Sequence, residues 1–186
     1  VEQTFEVKDL EGVNNVLKGI PNRLKSGNFT NFGVIVDADN NLSSRWESLK
    51  SKFEEFGYSL PGHPRIGGVV VAHPEKETVY PIKIGVWIMP NNLDSGIVEN
   101  FMEGLISSDN VLFAMANQAV SKVEREIKPS QRFDPKDKPK ALIHTYLAWK
   151  KDPPTQMGLA ITKKYFDADA ALAKTFIDWL NKLFNS

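Results

Sequence analysis

A nearly unbroken apolar run, Phe32-Gly33-Val34-Ile35-Val36, leads straight into Asp37-Ala38-Asp39-Asn40-Asn41. A strand this apolar is covered on both faces, the situation of a strand inside a parallel sheet. Helical periodicity brackets it. Leu10–Lys25 carries Val13, Val16, Leu17, Ile20 and Leu24, with Pro21 predicting a kink or restart. After the acidic stretch, Leu42, Trp46, Leu49, Phe53 and Phe56 resume the helical period, and Gly57 ends it. Thr4–Lys8 alternates polar and apolar residues and reads as a short strand, and Gly27 marks a polar turn. The opening third therefore spells strand–helix–strand–helix, the rhythm of an α/β domain.

Pro61, Gly62 and Pro64 make Tyr58–Arg65 a loop. Gly67–Ala72 and Lys83–Met89 predict strands, with a hairpin or edge excursion between them. From Ser95 onward the pattern is helical. The last predicted helix, Ala170–Phe184, puts Leu172, Phe176, Trp179, Leu180 and Leu183 on one stripe. No stretch reads as a linker between domains. The expected organisation is one domain, an α/β core over residues 1–106 and a helical extension over 107–186 packed on it.

Composition removes several chemistries. The absence of cysteine excludes a disulfide scaffold, a thiol nucleophile and any Cys-based metal site. Three His leave little for a His-rich site. Lys plus Arg and Asp plus Glu both total 23, so there is no basic coat for nucleic acid. From Lys122 to Lys140, seven basic residues stand against four acids, a local excess of three that reads first as a solvated face. No signal-peptide pattern and no membrane-spanning apolar run appears, so a cytoplasmic protein without a membrane partner is expected.

The chemistry-bearing feature is Asp37-x-Asp39 at the carboxyl end of a buried strand. Open α/β sheets bind ligands there, and two carboxylates at that edge can share Mg²⁺. Without a cation they repel each other. The same residues serve ordinary structure equally well: Asp39, Asn40 or Asn41 can cap the next helix, and Asp37 can bind a loop amide. A second oxygen-rich stretch, Asn91, Asn92, Asp94 and Ser95, follows the Lys83–Met89 strand, with Glu99 in the first turn of the next helix. Alone, Glu99 complements a helix dipole. If the two strands are neighbours, both clusters line one crevice. His144 sits on an apolar helix and reads as a structural histidine. No phosphate-binding glycine loop and no GxSxG elbow is present.

Lys8-Asp9-Leu10-Glu11-Gly12-Val13, Val34-Ile35-Val36-Asp37-Ala38-Asp39, Gly85-Val86-Trp87-Ile88-Met89-Pro90-Asn91-Asn92 and Lys140-Ala141-Leu142-Ile143-His144 together resemble an uncharacterised prokaryotic Toprim-related family. The final Trp179-Leu180 helix fits too, so the resemblance covers nearly the whole chain. Toprim is the metal-binding α/β domain of topoisomerases, primases and nucleases related to the overcoming-lysogenisation-defect proteins. The resemblance implies a mostly parallel Rossmannoid sheet with a helical C-terminal extension. It implies Asp37 and Asp39 as ligands of Mg²⁺ or Mn²⁺, and Glu99 and Lys140 as catalytic residues in phosphodiester cleavage or transfer on nucleic acid. It also implies a non-catalytic alternative, a module that binds a partner such as an ABC-type ATPase.

One departure stands out. The family pattern places a Glu after a first strand, followed by its own helix, ahead of the Lys8-Asp9 segment. Glu2 leaves no room for that helix and is not equated with it. The expectation is a Toprim-like unit lacking its first strand and helix, the alternative being a degenerate Toprim domain that has lost its catalytic half. Among rivals, a haloacid-dehalogenase-like site should carry Thr or Val where Asn41 stands.

Overall fold

The computed structural model describes residues 5–26, 29–75, 79–154 and 156–185. Thr4, Glu2 and Gly27 lie outside that range. Seven α-helices and three strands are found among the described residues: α1 (Val13–Ser26), β1 (Asn31–Asp37), α2 (Leu42–Glu54), β2 (Val69–Ala72), β3 (Lys83–Met89), α3 (Val98–Glu103), α4 (Val111–Glu126), α5 (Lys138–Ala148), α6 (Met157–Thr162) and α7 (Ala171–Phe184). This is a mixed α/β fold, about half helical. No described helix is long and apolar enough to cross a membrane.

The sheet has the order β1-β3-β2. β1 runs parallel to β3, Asn31 opposite Lys83 through Asp37 opposite Met89. β2 runs antiparallel to β3, Val69 opposite Val86 through Ala72 opposite Lys83. The described sheet thus has one parallel and one antiparallel pairing. The antiparallel one comes from the hairpin connection across residues 73–82, where the His73 amide donates to the Ile82 carbonyl at 2.8 Å.

Two sequence expectations are corrected. Phe5–Lys8 forms no strand, though it alternates as one. Alternation alone makes no strand without a neighbour to pair with. Of the kink or restart expected at Pro21, the restart is absent: α1 runs from Val13 to Ser26 as one element.

By internal contacts the chain forms two compact units, Val1–Ile97 with Thr175–Ser186, and Val98–Lys174. The end of α7 belongs with the sheet in the first of these units.

In the first unit both sheet faces are covered. Val34, Val36, Ile84, Val86 and Ile88 share a buried cluster with Ile20 and Leu24 of α1 and Trp46, Leu49 and Phe53 of α2. The opposite face meets α7. Gly33 stands opposite Gly85 in the parallel register. A Cβ at Gly85 would come within 2.6 Å of Leu183, and one at Gly33 within 2.9 Å. The paired glycines leave a notch that Trp179 and Leu183 fill, and the Trp179 indole donates to the Val69 carbonyl at 3.1 Å. This explains the nearly unbroken apolar character of β1.

In the second unit α5 packs on α3 and α4. Asn110 caps α4, accepting from the Phe113 amide at 3.0 Å. Its Nδ2 donates to the Tyr146 hydroxyl at 3.3 Å, which itself donates to the Tyr165 carbonyl at 3.2 Å.

Candidate functional site at the acidic strand edge

β1 and β3 end side by side, Asp37 opposite Met89. The two following loops are stitched together beyond the ladder. The Ala38 amide donates to the Met89 carbonyl at 3.1 Å. Asp39 and Gly96 exchange both backbone bonds, at 2.9 and 2.8 Å. Asp39 takes a left-handed conformation, φ 53°, which short polar side chains tolerate better than most. The expected neighbourhood of the first acidic stretch and the Asn91–Ser95 stretch is therefore present, and the backbone holds it.

Capping falls to Asn41, whose Oδ1 accepts from the Ser44 amide at 2.9 Å. That leaves Asp37 and Asp39 for other work, and Arg45 takes it. In the first turn of α2, its Nε donates to the Asp37 carbonyl at 2.8 Å, and its Nη2 reaches the Asp39 carboxylate at 2.5 Å. Arg45 is mostly buried and Asp39 more than half exposed. A guanidinium with two charge-assisted or polar bonds is well anchored. Sequence reasoning passed over Arg45. Its signal was its place on the first turn of the helix after the acids, where a long cation can fold back to the strand end.

The oxygens of the second loop are engaged as well. Asn91 Oδ1 accepts from the Leu93 and Asp94 amides at 3.0 and 2.9 Å, and its Nδ2 donates to Asp94 Oδ2 at 2.7 Å. Asn92 is buried, and its Oδ1 accepts from the Ile88 amide at 2.7 Å. β2 stops opposite Val86, so Asn92 supplies the bond a longer strand would have given Ile88. Asn92 Nδ2 has no partner among the described residues.

Glu99 and Lys140 belong to the second unit. Glu99 is 6% exposed on α3. It acts on Glu103, whose carboxyl is pushed above its usual range by burial first and by the Glu99 charge second, with Lys138 pulling the other way. Lys138 donates to Glu124 at 2.6 Å and holds that carboxyl below its usual range. Lys140 is exposed and lies 3.7 Å from Asp137, three residues earlier. Lys122 lies 4.0 Å from Glu126 in the same way. Lys122, Lys138 and Lys140 thus pair with acids of the same stretch, and the net excess of three remains. His144 is exposed rather than packed, which corrects the structural-histidine expectation.

Among the described residues, no group of three or more His, Asp or Glu side chains is arranged to hold a metal ion. No curated protein and no solved structure matches the chain. A family model described as a protein of unknown function, DUF3226, matches residues 1–185, and the chain belongs to that family.

Proposed function

We propose that this chain is a Toprim-like α/β module that works through a protein partner, such as an ABC-type ATPase, and performs no phosphodiester chemistry of its own. One observation carries the reading: Arg45 binds both the Asp39 carboxylate and the Asp37 carbonyl. The charge that an acidic pair would otherwise take from a metal comes from a side chain of the same chain. For that reason the donor set fits a resident Mg²⁺ or Mn²⁺ poorly. Such ions need carboxylate oxygens at their disposal, and one of the two carboxylates here is engaged. The partner class and the Toprim kinship come from the sequence resemblance.

A second reading is a metal-dependent nuclease acting on nucleic acid, with Glu99 and Lys140 in support. What favours it is the place of Asp37, at the carboxyl end of β1 beside the parallel β3. Such ends are where α/β sheets bind ligands. Manganese titration by calorimetry, with plasmid cleavage in parallel and Asp37→Ala as control, separates the two. The partner reading expects neither saturable binding nor cleavage. Saturable binding and cleavage, both lost in Asp37→Ala, would overturn it.

A further inference from the structure

The edge of β1 away from β3 has no strand partner among the described residues. A groove of about 550 Å³ runs along it. Its lining includes the consecutive residues Asn31 to Ile35. Neighbouring strand residues point to opposite faces, so a groove touching all of them lies against the edge itself. The other walls are the Phe5–Leu10 segment, Val16 and Ile20 of α1, and Phe184 of α7.

The hydrogen-bond phase of β1 shows which groups turn into the groove. The Lys83 amide donates to the Thr30 carbonyl at 3.3 Å, and the Ala38 amide to the Met89 carbonyl at 3.1 Å. Both contacts are made by even-numbered residues, Thr30 and Ala38, that flank this strand. In a parallel ladder the intervening residues direct their backbone groups the other way. Asn31, Gly33 and Ile35 thus present amides and carbonyls to the groove. Ile35 is 44% exposed between buried Val34 and Val36.

Charge narrows the occupant. Glu6 and Lys8 lie 3.3 Å apart and balance each other. Arg23, also in the lining, has no ion-pair partner among the described residues. A second copy of the chain is a poor occupant, because its own β1 edge is walled by the same Phe5–Leu10 segment.

We propose that this groove takes up an extended apolar segment of a partner polypeptide, carrying one carboxylate for Arg23, as an added strand on β1. Backbone bonds to Asn31, Gly33 and Ile35 give affinity, and Phe5, Leu10, Val16 and Phe184 among the mixed walls select apolar side chains, as in other cases of strand addition. Five residues of β1 span about 17 Å, the length of an ordinary strand. The inference rests on the partner reading for the source of the strand. The manganese titration probes the acidic edge without involving the groove, so the two can fail separately.

The test uses the labelled peptide TVIVVET, titrated with the full chain by fluorescence anisotropy, together with amide hydrogen exchange. The expected result is saturable binding with a dissociation constant in the micromolar range. Exchange at the Gly33 and Ile35 amides should slow by about tenfold or more, and that at Val34 should stay unchanged. Ile35→Lys and Arg23→Glu, on different elements, should each weaken binding by about tenfold. The peptide TPIPVET, whose prolines lack amide donors, should not bind. No binding of TVIVVET, equal binding of TPIPVET, unchanged exchange at Gly33 and Ile35, or dimerisation through β1 overturns the proposal.

Discussion

Two pairs of acids in this molecule have opposite fates. In the first unit, Asp37 and Asp39 stand at an open strand end, where Arg45 pairs with the Asp39 carboxylate and bonds the Asp37 backbone carbonyl. In the second, Glu99 and Glu103 lie one helical turn apart on α3, and the nearby Lys138 is hydrogen-bonded to Glu124. The Glu103 carboxylate accepts a long bond from Asn100 Nδ2, at 3.4 Å. In the motif that draws the eye, the Asp39 carboxylate already has its cation. The perturbed carboxyl sits on a short helix that no motif marks. A conspicuous acidic spacing therefore says where charge gathers, and the surrounding cations decide whether it is available.

The contrast can be broken or sharpened by substitution. The largest effect is expected from Trp179→Ala, which empties the notch over Gly33 and Gly85 and removes the bond to Val69. The frame that positions the acidic edge should lose about 3–5 kcal/mol in denaturant unfolding. A loss under about 1 kcal/mol would mean that α7 does not brace the sheet. Arg45→Ala should come next, costing about 1–2 kcal/mol as two bonds disappear and Asp39 loses its cation. It should also give the edge a weak affinity for Mn²⁺. An unchanged stability would make the Arg45 contacts incidental.

Glu103→Gln tests the other pair through pH. A carboxyl whose pKa is raised on folding holds its proton more firmly in the folded chain. Its contribution is therefore greatest while it is protonated, and stability falls as pH rises from about 4.5 through the raised value. Glu103→Gln should raise the melting temperature at neutral pH, with the gain shrinking toward pH 4. Glu99→Gln should return the Glu103 titration, followed by NMR, toward its ordinary range. The smallest effect belongs to Lys140→Ala, where a surface pair with Asp137 is lost and no measurable change in melting temperature is expected.

The sequence made β3 and α2 legible because their apolar periods are long and end in Pro90 and Gly57. Asn31–Asp37 was equally plain, since its apolar run is nearly unbroken, although Ile35 is exposed. The antiparallel placement of β2 was less so. A short strand between two strong ones has the same local pattern in either direction, and only the hairpin closure decides it. Phe5–Lys8 was misread because alternation is local, whereas strand pairing depends on a neighbour. For the site, the spacing of Asp37 and Asp39 located the edge. Their pairing with Arg45 was hidden, because it depends on how far a long side chain folds back across a loop. Glu103 carried no signal, since burial and repulsion from Glu99 arise only once α3 is packed.

The central claim is that Arg45 replaces a metal at the acidic edge. Calorimetric titration of Mn²⁺ into the chain and into Asp39→Asn, at neutral pH and low salt, tests it most directly. The account predicts no saturable binding tighter than about 1 mM in either protein. Micromolar binding to the unmodified chain that disappears in Asp39→Asn would contradict it.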